Sequence, residues 1–433
     1  MTAYIIRRLI YAVPILIGVN LITFFLFFFV NTPDDMARAH LGTRRVSIEQ
    51  IAKWKRERDY HLPYFLNSGW NQIGVREVRD KEVSVSLPSD APGSYRMRVE
   101  VPSPALGTLS VMARSEVEIV GWPPDGRILD LESPLHTLDF SLAERRATQP
   151  REAPEFLFSS SSAEAPMSVV TVEFKESLGL AERITSTIFW KKSVRYLLFQ
   201  FGKSDDGRDI GAEILIRIGP SLAITVPTFL IGVLVNIAVA MMVAFFRGTY
   251  LDFWGVVLAV TMMSISVLFY VIGAQWLLGK TMKLVPISGF DSGIHAVKFA
   301  ALPVIIGVIG GIGGGVRFYR TFFLEEIGRD YVRTARAKGL PESLVLFKHV
   351  LKNAMIPILT GVVVTIPFLI IGSLILESFY AIPGMGSFTL EAIQRQDFAI
   401  VQAMVFLGSV VYVIGLILTD LSYTLVDPRI RFS

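Results

Sequence analysis

The chain has 433 residues, of which 52% are hydrophobic and only 18% are charged. This composition excludes an ordinary soluble protein and indicates an integral membrane protein. The net charge of +4 is small and forms no basic patch, which argues against nucleic-acid binding. The absence of cysteine excludes disulfides, thiol catalysis and cysteine metal sites.

A first membrane helix is predicted near the N-terminus, in residues 1–31. Arg7 and Arg8 precede a charge-free run from Leu9 to Val30, which is long enough to cross a bilayer. The run is too long for the apolar part of a signal peptide, and no small-residue cleavage site follows it. We therefore expect a retained helix, and the two arginines place its start in the cytoplasm.

The region 32–217 contains no further spanning segment, whereas the rest of the chain contains five charge-free runs. Each run has at least about 18 residues, as a membrane helix requires. Six helices that start in the cytoplasm also end there, so both termini are expected on the cytoplasmic side. The runs lie between Arg217 and Arg247, Asp252 and Lys280, Lys298 and Arg317, Lys352 and Glu377, and Asp397 and Asp420.

The region 32–217 is therefore expected outside the cytoplasm. Its stretch Ser47–Pro63 is typical of a helix that ends in a turn. From about Val75 to Lys191, several stretches alternate in polarity or are rich in β-branched residues, and turn residues separate them. We interpret this part as a small inserted β-sandwich-like domain, in which the polar passage Ala143–Ala165 forms a flexible loop.

Two short runs resemble the end of a phosphate-binding loop, Gly202–Ser204 and Gly279–Thr281. Leu197 and Ala274 stand where such a loop requires its first glycine for the turn that cradles phosphate. Neither run qualifies, so we expect no ATPase site in this chain.

The charge-free run between Lys298 and Arg317, the fourth when the run Leu9–Val30 is counted first, is unusually rich in glycine. Small residues let membrane helices approach closely, so helix packing is one interpretation, and a hinge is the other. The glycines are Gly307, Gly310, Gly311, Gly313, Gly314 and Gly315.

A polar loop, residues 317–353, separates the fourth and fifth runs. Its Lys and Arg residues outnumber its Asp and Glu residues, which agrees with a cytoplasmic position. A helix is predicted through Lys338, Gly339 suits its end, and Pro341 suits the first turn of a second helix. Small residues at the turn would let another protein's backbone approach, but an ordinary basic amphipathic loop is also consistent with the pattern. These small residues are Thr334, Ala335, Ala337 and Gly339.

The run RTARAKG, followed by His-Val-Leu, closely resembles the coupling-loop motif of permease subunits in ATP-binding-cassette importers. In that register Arg333, Thr334 and Ala335 take the first three positions, and Gly339 takes the position of the glycine in the motif. Arg333 replaces an acidic residue and Thr334 replaces an alanine. Both departures, and others at His349 and Lys352, match the peptide-transport branch, which has a similar YVRTARAKGL run.

This resemblance covers residues 1–70 and about 192–433. It implies an all-α polytopic fold of the type I importer permease, with six transmembrane helices and the inserted, mainly β extracytoplasmic domain. The permease core would comprise residues 218–433. The resemblance further implies a turn that binds an ATPase subunit through Arg333, Thr334, Ala335, Ala337, Lys338, Gly339 and Leu340.

After the fifth run, an acidic residue and an aromatic residue precede a Pro-Gly-x-Gly turn and a short polar helix. In peptide permeases the same pattern forms an outward-facing rim of the channel. The resemblance thus implies a rim or gate that includes Glu377, Pro383, Gly384 and Gly386. Glu377 is then a candidate contact for the amino terminus of a peptide.

The implied partners are a second related permease chain, two ATP-binding subunits, an extracytoplasmic solute-binding protein and membrane lipid. ATP and Mg²⁺ are expected on the ATP-binding subunits, and no cofactor, metal or nucleic acid is expected on this chain. The implied location is the bacterial inner membrane. The insertion is either a structural decoration or a contact for the solute-binding protein.

Two other functions stay open from the residues alone. A secondary transporter or channel would leave the basic loop without a coupling role, although the charge-free runs lack the ionisable residues expected for ion coupling. A membrane-anchored enzyme would place its site in the insertion. That segment contains one histidine, His136, and no recognisable nucleophile or metal-ligand spacing.

Overall fold

The computed structural model describes residues 2–42, 46–78, 82–87, 93–101, 108–114, 119–123, 125–131, 133–142, 154–160, 168–291 and 293–426. The chain divides into two compact units. The β unit comprises Phe24–Leu198, and the helical unit comprises Met1–Thr23 together with Phe199–Ser433.

The helices of the described residues run in chain order as follows. They are α1 (Thr2–Phe25), α2 (Pro33–Leu41), α3 (Ile48–Glu57), α4 (Leu180–Thr185), α5 (Ile188–Lys192), α6 (Ile210–Phe245), α7 (Tyr250–Ser264), α8 (Val267–Ala274), α9 (Ala296–Ile327), α10 (Asp330–Ala337), α11 (Glu342–Leu344), α12 (Lys352–Thr365), α13 (Leu374–Phe379), α14 (Met385–Arg395) and α15 (Phe398–Val426). Short π-helical segments cover Leu26–Val30, Gln275–Thr281 and Val345–Leu351, and 3-10 segments cover Val194–Leu198, Gly293–His295 and Ile366–Ile370.

The β unit contains two antiparallel sheets. One has the strand order β1-β9-β3-β7-β5 and the other has the order β2-β8-β4-β6. The strands are β1 (Trp70–Val78), β2 (Glu82–Ser86), β3 (Gly93–Glu100), β4 (Thr108–Arg114), β5 (Ile119–Val120), β6 (Arg127–Asp130), β7 (Leu135–Leu142), β8 (Glu155–Ser160) and β9 (Ser168–Lys175).

One apolar core joins the two sheets of the β unit. Alternate residues of β3, among them Tyr95 and Met97, point into it, and Phe156 and Phe158 of β8 meet them from the other sheet. This period-two burial is what the alternating sequence predicts for strands with one buried face. The inserted, mainly β domain is therefore present.

The sequence interpretation of the β unit needs two corrections. Residues 155–160 form strand β8 in the second sheet, although the passage Ala143–Ala165 was expected to be a flexible loop. The sequence of this passage is mostly polar, because the strand is short and only Phe156 and Phe158 are large and buried. The flanking parts 143–153 and 161–165 lie outside the described residues. In addition, the strands begin at Trp70, before Val75, and two helices, α4 and α5, follow them as far as Lys192.

Two capped helices pack against one another, and the second of them, α3, lies against strand β1 of the first sheet. Thr32 and Ser47 begin α2 and α3 with capping boxes, in which each side chain accepts a hydrogen bond from a backbone N–H three residues on. Helix α3 is then tied to β1, because the Ile48 N–H donates to Glu77 over 3.0 Å and Arg56 donates to the Ile73 carbonyl over 2.6 Å.

Five helical segments of the described residues are long and apolar enough to cross a membrane: Ile10–Val30, Ile210–Phe245, Ala296–Ile327, Glu342–Ile370 and Phe398–Ser422. A sixth apolar region differs from the straight helix expected between Asp252 and Lys280. There α7 and the α8 region, Val267–Thr281, meet at a bend of 88°. Ser266 caps the second half by accepting a hydrogen bond from the Leu268 N–H. The count reaches six if this bent pair is one span.

The glycines of α9 lie at close helix contacts. A Cβ on Gly307 would lie 2.6 Å from the Thr228 methyl on α6, and one on Gly313 would lie 2.6 Å from the Ala259 carbonyl on α7. A Cβ on Gly315 would overlap the Asn236 side chain. Packing therefore explains these three glycines. Gly311 and Gly314, in contrast, face no described atom of the chain within 4 Å.

Two ion pairs join helix ends within the helical unit. Arg8 lies 2.8 Å from Asp420, so the start of α1 is paired with the last part of α15. Arg320 of α9 lies 2.6 Å from Asp252 at the start of α7. Both pairs involve residues at the borders of apolar segments, where charged side chains reach the membrane surface.

Candidate functional site

The turn segment, residues 330–344, consists of α10, a tight turn and α11. Helix α10 ends at Ala337, and Gly339 follows with a φ of +71°. That left-handed conformation favours glycine, and the Gly339 N–H donates to the Arg336 carbonyl over 2.9 Å. The predicted helix end is confirmed. Pro341 lies just before α11 as its cap residue, one position earlier than expected.

One face of α10 is buried in the helical unit. Val332 is fully buried and Ala335 is 5% exposed. They pack in the apolar cluster that includes Phe323 of α9 and Val345 and Val350 of the π-helical segment. The cluster also contains residues of α6 and α12, so α10 is packed against three long apolar helices, and close packing of this kind transmits displacement.

The predicted coupling residues divide between two sides of the turn segment. The structure exposes Arg333, Thr334, Ala337, Lys338 and Gly339, half-buries Leu340 and buries Ala335. Ala335 was expected on the surface among the small residues, and this is a correction. In α10 it faces the same side as Val332, three positions earlier, because helical residues three apart share a face.

Two polar contacts stabilise the turn segment, and the sequence predicted neither of them. Arg336 forms two hydrogen bonds with Glu342 across the turn, of 2.8 and 3.3 Å. At the other end Tyr331 donates its hydroxyl to Glu326 at the end of α9. Burial, reinforced by the Glu326 carboxylate, raises the pKa of Tyr331 to about 12, so the hydroxyl keeps its proton at neutral pH. The turn is thus tied at both ends.

Two apolar side chains lie on the surface where α11 continues into the π-helical segment. Leu344 is 40% exposed and Phe347 is 59% exposed, whereas Val345 and Val350 are buried. A π-helical turn contains more residues than an α-helical turn, so it shifts which side chains face inward. The exposed apolar pair extends the accessible surface of the turn segment.

The second candidate, which we call the Glu377 loop, covers residues 372–387. Glu377 is fully buried, and each of its carboxylate oxygens accepts hydrogen bonds. Its Oε1 accepts from the Ser221 hydroxyl of α6 at 2.8 Å and from the Ser373 N–H at 3.0 Å. Its Oε2 accepts from the Ser387 N–H at 3.0 Å. Ser221 in turn accepts a hydrogen bond of 2.7 Å from the Met385 N–H.

Two glycines give the carboxylate its space, and a third lets α14 approach the backbone at the start of α13. A Cβ on Gly372 or Gly384 would overlap the Glu377 carboxylate, and one on Gly386 would lie 2.6 Å from the Leu374 nitrogen. Gly372 also has a φ of +77°. The Pro-Gly-x-Gly pattern therefore serves close packing around a buried acid.

In this conformation Glu377 packs between helices, and its expected contact with a peptide stays a prediction. Its side chain is inaccessible, and its oxygens are already occupied by donors from α6 and from the loop itself. Of the four predicted rim residues, Pro383 alone is exposed, whereas Gly384 and Gly386 are buried. Glu377 holds α13 and α14 against α6 in this conformation.

The lone histidine of the β strands has a structural contact. A ring nitrogen of His136 lies 2.6 Å from the Asp130 carbonyl, which joins β7 to the end of β6. This contact fits a histidine that stabilises a strand connection.

Comparisons with known proteins assign the helical part to one family. Residues 221–432 match the family described as "Binding-protein-dependent transport system inner membrane component". A glutathione transport system permease protein of Salmonella paratyphi A is 30% identical over 262 residues, which cover 60% of this chain and 83% of the relative.

Other relatives have similar names. A dipeptide transport system permease protein of Bacillus subtilis is 32% identical over 248 residues, or 56% of this chain and 78% of the relative. A probable peptide ABC transporter permease protein of Sinorhizobium fredii is 30% identical over 277 residues, or 61% of this chain and 85% of the relative.

Proposed function

The chain belongs to the family of inner membrane components of binding-protein-dependent transport systems, and from this premise we propose that it carries peptides or related small solutes. It is a permease subunit of an ABC importer and not an enzyme, because ATP hydrolysis in this family takes place in partner subunits. The family assignment replaces the alternatives of a secondary transporter, a channel or a membrane-anchored enzyme. Peptide cargo is supported by relatives named as dipeptide and peptide permeases.

The proposed assembly contains this chain, a second related permease chain, two ATP-binding subunits and an extracytoplasmic solute-binding protein. In it, the chain forms half of the translocation pore. Six spans, with α7 and α8 as one bent span, would place both termini in the cytoplasm. The Arg8–Asp420 pair supports an even number of crossings, because it joins the start of the first span to the last part of the final span.

The observation that carries the proposed mechanism is the two-sided turn segment. Its exposed side, centred on Ala337 and Gly339, would contact an ATP-binding subunit, and its buried side, with Val332 and Ala335, is packed into the bundle. A movement of the partner would then displace the helices as a rigid body. Alternation between two packings of the bundle would open the pore to one side and then to the other.

Purification of the tagged chain from its native membrane tests the assembly. We expect a related permease chain and P-loop ATPases to copurify with it. Recovery of the chain alone, or as a self-oligomer without ATPases, would contradict the assembly. Replacing Gly339 with a bulky residue should then uncouple ATP hydrolysis from uptake in the purified complex. If hydrolysis still drives normal uptake in that variant, the turn segment does not couple the two.

A further inference from the structure

A cavity of about 450 Å³ lies within the β unit. Its walls are formed by α2 and α3 on one side and by strands β1, β3 and β9 on the other. This volume is in the range of clefts that bind small molecules, about 300 to 1,000 Å³. The family match begins at Ser221, so the cavity lies wholly outside the matched region.

The two walls carry opposite net charge. The helix wall contributes Asp34, Arg38 and Lys55, and the sheet wall contributes Arg98, Glu100 and Glu173. With every group ionised, the first set sums to +1 and the second sums to −1. A ligand that bears both charge signs, at some distance from one another, complements such walls.

Pairing within each wall leaves one charge of each sign. Lys55 lies 2.6 Å from Asp34 on the helix wall, and Arg98 lies 3.4 Å from Glu173 on the sheet wall. Arg38 and Glu100 form no ion pair with any residue that the structure describes. A cation on the helices and an anion on the sheet therefore stay available.

Glu173 adds an acceptor to the sheet wall. Its Oε2 is buried and accepts no hydrogen bond from the described residues, despite the nearby Arg98. Burial raises the pKa of the Glu173 carboxyl, although Arg98 and Arg96 oppose the shift. Arg98 lies 3.4 Å from this oxygen but does not hydrogen-bond to it, and an ammonium group would supply that hydrogen bond.

We propose that this cavity binds the zwitterion of a short peptide, with its carboxylate at Arg38 and its ammonium group at Glu100 and Glu173. Both ends then form charge-assisted hydrogen bonds, and the peptide body spans the cavity. The site depends on the proposed function for one point only, which is that peptides reach this domain as cargo. Binding itself requires neither ATP nor a pore.

Calorimetric titration of the purified full-length chain in lipid nanodiscs tests the site. The probe is dialanine, compared with dialanine that is N-acetylated or C-amidated. We expect the free dipeptide to bind, and each cap to weaken binding by roughly tenfold or more, because each removes one charge-assisted contact. Arg38→Gln, Glu100→Gln and Glu173→Gln should weaken binding of the free dipeptide to a similar extent.

The matched controls are Glu82→Gln on β2 and Arg114→Gln on β4. Both residues are exposed on the other sheet and should leave binding unchanged. Because Arg38 and Glu100 are also exposed, their variants test the site even if Glu173→Gln disturbs folding. No binding of the free dipeptide at 10 mM (about twentyfold above a Kd near 0.5 mM) would overturn the proposal. Equal binding of the capped forms would overturn it too.

A separate measurement distinguishes this site from the transport proposal. If the variants lose dipeptide binding while the intact importer takes up another solute, the cavity stands and the cargo proposal fails. If the solute-binding protein, and not the dipeptide, loses affinity in the Arg38→Gln and Glu100→Gln variants, the cavity is a protein-docking surface. That outcome rejects the peptide site.

Discussion

The Glu377 loop and the turn segment use charged residues in opposite ways. In the loop a single carboxylate is fully buried, and donors from Ser221, Ser373 and Ser387 surround it. In the turn segment the charges lie on the surface, and Arg336 pairs with Glu342 while both side chains are more than 40% exposed. A buried network is costly to break, whereas an exposed pair contributes little to stability.

This contrast separates residues that hold the bundle together from residues that a partner can reach. Both segments were identified by their resemblance to family motifs. That resemblance does not show which residues stabilise the bundle and which ones a partner can reach. Burial does, because a side chain without accessible surface is available to a partner or a substrate only after the bundle rearranges. Variants in the loop should therefore affect folding first, and variants on the exposed side of the turn should affect coupling first.

The largest effect is expected for Glu377→Leu. Without the carboxylate, the Ser221 hydroxyl and the N–H groups of Ser373 and Ser387 lose their acceptor in a buried site. The expected loss of stability is roughly 3 kcal/mol or more. It should appear as a lower melting temperature and a lower folded yield in detergent. The control Glu391→Gln removes an exposed pair with Arg395 and should melt like wild type. Equal melting of the two variants would show that the network does not stabilise the loop.

Ala335→Glu and Ala337→Glu test the two sides of the turn segment. Ala335 is buried, so a carboxylate there is forced into the apolar cluster and should lower stability by roughly 2 kcal/mol or more. Ala337 is exposed, so its variant should fold normally and instead lower the uptake achieved per ATP hydrolysed. Melting temperature and the uptake-to-hydrolysis ratio check the two claims. The assignment of sides is wrong if both variants melt alike.

A smaller loss of stability is expected when Gly386 or Gly339 is replaced with alanine, and the two losses should differ. Gly386→Ala places a methyl group 2.6 Å from backbone atoms of Leu374 and Ser373, which should cost about 1 to 3 kcal/mol. Gly339→Ala meets no neighbour, and its cost of about 1 kcal/mol arises only from the φ of +71°. Gly361→Ala, at a helical position with no neighbour within 4 Å, is the control. Thermal unfolding should rank the three variants in this order, and any other order would contradict the crowding at Gly386.

The smallest effect on stability is expected for Arg336→Gln. Loss of an exposed pair should change stability by no more than about 1 kcal/mol, and the change should shrink in high salt. Uptake per ATP should nevertheless fall, because Arg336 braces the turn against Glu342. Arg329→Gln removes an exposed pair of 2.6 Å with Glu325, outside the predicted coupling residues, and serves as the control for the brace. Equal coupling in the two variants would show that the brace does not transmit movement.

Much of the helical unit could be predicted from the sequence, because charge-free runs directly report the apolar environment of membrane helices. The 88° bend between Ser264 and Val267 could not be predicted, since neither proline nor glycine lies in that run at the break. The environment of Glu377 was also hidden. Its main side-chain donor, Ser221, lies 156 residues earlier in the chain, and nothing local in the sequence connects the two.

The sequence predicted that the β unit is mainly β, but it did not predict which residues form each strand. Stretches that form β2, β3 and β9 show the alternation or the β-branched residues that predict strands, whereas β1 and β7 were not predicted and β8 was expected to be a loop. Strand length does not separate the two groups, because β1 has nine residues and β2 has five. In the turn segment, the position of Gly339 followed from its preference for helix ends. The burial of Ala335 did not, because it depends on the packing of Phe323 and Val345.

The bend between α7 and α8 has a mechanical consequence. A straight helix acts as a rod that transmits an axial push from one end to the other. Here the two halves of the region Tyr250–Thr281 meet almost at a right angle, so a push along α7 acts on α8 as a sideways load. Helix α7 is paired with α9 through Asp252 and Arg320. Movement of α9 along its axis would therefore displace α8 sideways and not along the axis of α8.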